Sequence, residues 1–120
     1  MPHQIGGAKL RIHFGDEIAI GPGKADLLEA IRDTGSITAA GKRMGMSYKR
    51  AWDLTATMNR CFKAPLVETA TGGGGGGGAH LTDFGARVLG HYRAMQAHTD
   101  AAIARDLKAF TDLLAPTPRG

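Results

Sequence analysis

Along residues 35–62, GSITAAGKRMGMSYKRAWDLTATMNRCF, apolar positions recur at steps of three, four and seven. Ile37, Ala40 and Met44 share one face, and Ala51, Leu54, Met58 and Cys61 share another, which is the period of two amphipathic helices. Ser36 and Ser47 stand before these faces as N-caps, and Gly45 is placed to end the first helix in the left-handed conformation. Two capped helices joined by so tight a turn predict a helix-turn-helix, although an ordinary helical hairpin with a solvated basic face has the same pattern. Opposite the apolar faces stand Lys49, Arg50, Asp53, Thr57 and Arg60, left for solvent or a ligand.

The flanking pattern changes period. In residues 8–14, AKLRIHF, Leu10, Ile12 and Phe14 alternate with Lys9, Arg11 and His13, as in a half-buried strand. After Gly21, Pro22 and Gly23 a helix is predicted to residue 33, with Leu27, Leu28 and Ile31 inward and Pro22 in its first turn. Pro65 then breaks the helical pattern. Residues 66–71 and residues 79–81 read as two strands, separated by Gly72, Gly73, Gly74, Gly75, Gly76, Gly77 and Gly78. Three helices followed by strand, glycine loop and strand make a winged helix, with the amino-terminal strand available as a third member of its small sheet.

Residues 82–114 open on a cap candidate, Thr82, and contain no proline. A continuous helix of that length would run roughly 50 Å at about 1.5 Å per residue, beyond the core of a domain this size. Phe84, Val88 and Tyr92 can pack back, whereas Ile103, Leu107, Phe110 and Leu114 continue the stripe where that core hardly reaches. The expectation is a dimerisation helix; two shorter helices with a break near Gly90 are the alternative. The division expected is a winged helix over residues 1–81, the dimerisation helix over 82–114 and a disordered tail over 115–120. The fold class is mainly α with a small β-sheet.

Composition narrows the function. A chain of 120 residues allows one modest core. No apolar run reaches the roughly 18 residues of a membrane span, and MPHQIGGAKLR lacks a secretory apolar segment, so the reading is cytoplasmic with no membrane partner. The single cysteine, Cys61, excludes an intrachain disulfide and is expected to pack as a small apolar residue. The net charge of +4 is unevenly spread: residues 36–63 carry Lys42, Arg43, Lys49, Arg50, Arg60 and Lys63 against Asp53 alone, while residues 83–112 balance four bases with four acids. A basic excess confined to one element is the electrostatic footprint of phosphate contact.

Other chemistry finds no support. His3, His13, His80, His91 and His98 lack metal-ligand spacing, since His91 and His98 lie two turns apart and no Cys or carboxylate cluster joins them. No Ser-His-Asp pattern or close carboxylate pair points to catalysis, and an enzyme is not expected. The glycine run matches a dinucleotide fingerprint trivially, but no helix opens directly behind it and no Gly-Lys-Ser/Thr follows. At a hairpin tip, seven glycines offer backbone N–H groups to a sugar-phosphate chain, or serve as a simple flexible loop.

GSITAAGKRMGMSYKRAWDLTATMN followed by LVETATGGGGGGGAHLTDFG closely resembles the amino-terminal DNA-binding domain of ModE-type molybdate-responsive transcriptional regulators. The resemblance covers residues 10–114 and is most specific at Ser47-Tyr48-Lys49, Ala51-Trp52, Met58-Asn59, Leu81-Thr82 and Gly85. More distantly, the chain is similar to the amino-terminal domains of LysR-type regulators. The resemblance implies a winged helix that dimerises through its terminal helix and regulates genes of molybdate uptake and molybdoenzymes. Members sense molybdate through a separate carboxyl-terminal oxyanion-binding domain, so no cofactor is expected in this chain, which ends at Gly120 without one. Relatives often carry basic residues at the glycine loop, where this sequence has Thr69 and unbroken glycine.

The resulting expectation is a homodimer that binds double-stranded DNA at an inverted repeat. The helix of residues 47–62 would enter the major groove, with Lys49 and Arg50 at guanine edges or phosphates, Ser47 and Tyr48 making polar contacts and Thr57 at the flank. Lys42 and Arg43 would touch phosphates, and Trp52 and Leu54 would position the helix by packing. A second expectation is an interaction module that pairs with a full-length regulator or a separate oxyanion-binding protein through residues 103–114.

Overall fold

The computed structural model describes residues 7–70 and 78–120; Thr71 and the glycines from Gly72 to Gly77, expected in the wing, lie outside them, as does His3. The order is β1 (Ile12–Phe14), β2 (Glu17–Ile20), α1 (Pro22–Thr34), α2 (Ile37–Arg43), α3 (Tyr48–Cys61), β3 (Val67–Ala70), β4 (Gly78–Leu81) and α4 (Asp83–Thr111). This is a winged helix-turn-helix with a long carboxyl-terminal helix.

The sheet differs from expectation. β1 does not join the wing as a third strand; it pairs antiparallel with β2, and β3 with β4 forms a second two-stranded sheet. Only Gly15 and Asp16 separate β1 from β2, so the hairpin closes a far shorter loop than a partnership with β3 would. The register shifts between Ile12 and His13. That irregularity breaks the strict alternation of sides, and Phe14, expected inward, is 63% exposed while Ala19 and Ile20 of β2 are buried.

Leu27, Leu28 and Ile31 of α1 are fully buried, as the helical period requires, and pack with Ile37, Met58, Leu66 and Tyr92 in one core. Each large aliphatic side chain taken from water contributes about 1.5–3 kcal/mol, so this cluster carries most of the favourable term in folding. α3 is tied to β3 by polar contacts as well. Asn59 Oδ1 accepts from the Leu66 and Val67 backbone N–H groups at 2.8 and 3.2 Å, and its Nδ2 donates to the Val67 carbonyl at 3.1 Å.

α4 is continuous through Gly90 and 29 residues long. Thr82 caps it, accepting from the Gly85 N–H at 2.8 Å and donating to the Pro65 carbonyl at 2.7 Å. Leu89 and Tyr92 enter the core. Tyr92 donates to the Leu10 carbonyl at 2.6 Å, and Arg93 bonds Glu29 at 2.7 Å and Asp26 at 2.8 Å, fastening α4 to α1. Past that point the helix leaves the core. The helix ends at Thr111 in i→i+3 bonds that carry Leu114 just beyond it. No helix among the described residues is long and apolar enough to cross a membrane.

Candidate nucleic-acid interface

Two serines set the geometry of the helix-turn-helix. Ser36 Oγ accepts from the Ala39 N–H and Ser47 Oγ from the Arg50 N–H, both at 3.1 Å, so α2 and α3 each start where the sequence places a cap. Between them Gly45 has φ +72°, the left-handed conformation that turns the chain, and Met46 N–H closes the turn onto the Gly41 carbonyl at 2.9 Å. A Cβ at Gly41 would stand 2.8 Å from that of Ala51. α2 and α3 therefore meet almost backbone to backbone, which holds the angle of α3.

What α3 turns away from the core is polar and basic. Ser47, Tyr48, Lys49 and Arg50 are all exposed around its first turn, and Lys42 and Arg43 are exposed at the end of α2. Lys49 pairs with Asp53 at 2.8 Å, and that hydrogen bond, with the charge behind it, raises the Lys49 pKa. Arg43 reaches Asp33 at 3.3 Å. Asp33 is held below the usual carboxylate range, first by its hydrogen bond to Arg32, then by the charges of Arg32 and Arg43. Thr57 is half-buried, its hydroxyl donating to the Asp53 carbonyl and accepting from Arg60 at 3.2 Å. Among the described residues, Lys42 and Arg50 enter no ion pair.

The residues matched by the family model of the bacterial regulatory helix-turn-helix proteins, lysR family, are 24–86, which run from α1 through the wing strands into the first turn of α4. The chain belongs to this family. The matched segment carries the helix-turn-helix of these bacterial regulatory proteins. Curated relatives agree: the chain is 44% identical over 99 residues to the molybdenum transport protein ModE of Azotobacter vinelandii, covering 73% of this chain and 37% of the relative. It is 51% identical over 71 residues to the transcriptional regulator ModE of Yersinia pestis, covering 59% and 27%. Against the DNA-binding transcriptional dual regulator ModE of Escherichia coli K12 it is 42% identical over 102 residues, covering 82% and 39%. The chain thus spans well under half the length of these relatives.

Within this family member, the segments singled out for their resemblance divide by role. Ser47 is a cap, Asn59 a clasp on β3, and Gly85 the point where α4 crosses Leu66. Trp52 is a correction: it does not pack inward but is 38% exposed, beside Tyr48 at 63%, with ring centroids 5.9 Å apart and planes inclined by 46°. Residues 48 and 52 lie one turn apart on the flank of α3, a quarter turn from the buried Ala51, so an aromatic at both places meets its neighbour before it meets the core. Leu54 is half-buried against the core as expected. Two basic residues that the sequence did not connect with the interface, Arg11 before β1 and Lys24 in the first turn of α1, line one cavity with Arg50. Among the described residues no group of three or more His, Cys, Asp or Glu could hold a metal ion.

Proposed function

We propose that the chain acts as a homodimer that reads an inverted-repeat operator, with α3 in the major groove and α4 as the dimerising element. The observation that carries it is the exposed first turn of α3, where Tyr48, Lys49 and Arg50 project from a helix fixed by its Ser47 cap and by the Gly41–Ala51 approach. Lys49 is the candidate for a base edge, and Ser47, Tyr48 and Thr57 supply polar contacts around it. Lys42 and Arg43 are assigned to phosphates, where Arg43 would exchange Asp33 for a stronger acceptor. Gly78 opens β4, and the approach of this end of the β3–β4 hairpin to the DNA backbone is part of the proposal.

The names of the relatives support regulation of molybdate transport or molybdoenzyme genes, in the cytoplasm where the DNA lies. Exposed Phe110, Leu113 and Leu114 keep a second reading in play, an interaction module that joins a full-length regulator or a separate oxyanion-binding protein. Selection of duplexes from a random pool, with and without molybdate at fixed near-physiological salt, separates the two. The homodimeric reader enriches an inverted repeat with half-sites about one helical turn, or a multiple of it, apart. No enriched sequence, with binding that is only weak and salt-sensitive, would select the interaction module. Enrichment that depends on molybdate would place the metal's effect on this chain itself.

A further inference from the structure

A cavity of about 280 Å³ opens between the β1–β2 hairpin, the first turn of α1 and the flank of α3. Arg11, Lys24 and Arg50 reach it from three separate segments, and Ile18, Gly21 and Leu54 form part of its wall. No carboxylate among the described residues lines it. Gly21 leaves the room in which Arg11 lies, since a Cβ there would stand 3.1 Å from Arg11 Cγ. At the rim Lys24 Nζ donates to the Ile18 carbonyl, which holds the ammonium in place instead of letting it extend into solvent.

The charges around Lys24 are unbalanced. Burial lowers its pKa first; Arg50 and Arg60 act in the same direction, and Cys61 and Glu17 oppose them. Glu17 is already shared with Arg60, 3.9 Å away. The cavity also sits at the amino end of α1, a helix of 13 residues whose N-cap, Gly21, makes no side-chain cap bond. Pro22 has no N–H and the Ala25 N–H is bonded to the Gly21 carbonyl, so the first-turn N–H groups left over belong to Gly23 and Lys24, both of which line the cavity at the positive end of the helix dipole. Cations converging on a concave wall lower their mutual repulsion most by sharing one anion, and guanidinium groups fit a tetrahedral oxyanion through paired donors.

We propose that this cavity is a phosphate-binding pocket, in which Arg11 and Arg50 supply guanidinium donors and Lys24 a point charge to one phosphate group. The group comes either from the DNA backbone beside the half-site read by α3 or from free phosphate; only the first source rests on the proposed operator reading. It assigns Arg50 to the backbone and leaves the base edge to Lys49.

The test uses the full chain. Amide resonances of Gly23, Lys24 and Arg50 are followed by NMR while inorganic phosphate is added against chloride at matched ionic strength, in the wild type and in the Arg11→Gln/Lys24→Gln double variant. In parallel, the affinity of both proteins for the selected duplex is measured as a function of salt. A backbone-phosphate pocket lowers the slope of log K against log salt by about 0.9 in the double variant, the value of one phosphate. Saturable wild-type shifts that vanish in the variant, with an unchanged slope, assign the pocket to free phosphate. No saturable shift together with an unchanged slope overturns the pocket and leaves the operator reading standing if the duplex is still bound. Failure of the wild type to bind any duplex removes the operator reading, and the phosphate titration then decides the pocket alone. Lys24→Arg, which keeps the charge, controls for damage to the fold and retains the wild-type response.

Discussion

Gly85 occupies a point where only a hydrogen fits. A Cβ there would overlap the Leu66 carbonyl group, with the carbonyl carbon 2.9 Å away, and the obstacle is backbone that cannot swing aside. Gly85→Ala should therefore destabilise the fold by about 1–3 kcal/mol, the usual range for forcing extra volume into a packed site, and thermal unfolding measures it. An unchanged midpoint would mean that α4 can shift on Leu66 without loss. Tyr92 gives a second residue-scale prediction. Burial raises its pKa above the ordinary 10.0, so the folded state keeps the phenolic proton longer than the unfolded chain. Its contribution is intact below pH 10.0 and is lost as pH rises through the higher folded value. Tyr92→Phe should cost about 1 kcal/mol at neutral pH through the bond to the Leu10 carbonyl. It should also flatten the alkaline loss of stability seen in denaturant titrations of the wild type. Parallel alkaline curves would show that Tyr92 ionises without unfolding cost.

The helix-turn-helix was legible in sequence because each of its determinants is local. Ser36, Gly45 and Ser47 act within three or four residues of themselves, and the period that buries Ile37, Ala40, Ala51 and Met58 is a property of one helix at a time. The β1–β2 hairpin was not, since residues 17–20, EIAI, are too short to show a period and gain their burial only by lying on the helices. The same hairpin decides the setting of Arg50. From the sequence Arg50 and Lys49 look interchangeable, yet one faces Arg11 and Lys24 across a cavity and the other pairs with Asp53. This element-scale difference predicts different variants. Lys49→Ala should cost about 1–3 kcal/mol on the selected operator and relax discrimination at one position, whereas Lys42→Ala should weaken all sequences alike and lower the salt slope by about 1. Binding constants for the operator and for single-base variants of it test both, and a uniform loss for Lys49→Ala would remove it from the base edge.

As a whole the molecule is elongated, 57 × 29 × 26 Å, with a radius of gyration of 17.3 Å against about 13 Å for a compact chain of 100 residues. α4 accounts for the excess: its first three turns share the core, and its last turns carry Phe110, 56% exposed, with Leu107 and Ile103 half-buried. If this stripe holds two copies together, Leu107→Glu/Phe110→Glu should sediment as a monomer while keeping its helical circular dichroism. Truncation after Met95 should do the same. A dimer that survives both changes would place the interface elsewhere. Monomers should bind a half-site with the same base preference but lose the gain in affinity that comes from linking two half-sites.

The sequence by itself determined which segments are helical, where the caps and the turn lie, which helix faces are apolar, and that the basic excess belongs to α2 and α3. These follow from propensity, capping and charge, which act between near neighbours. Only the tertiary structure decided that β1 turns back on β2 instead of joining the wing and that Trp52 lies outward beside Tyr48. Likewise it alone brought Arg11, Lys24 and Arg50 to one cavity. Those outcomes depend on loop closure and on packing between residues distant in the chain, and no local pattern encodes either.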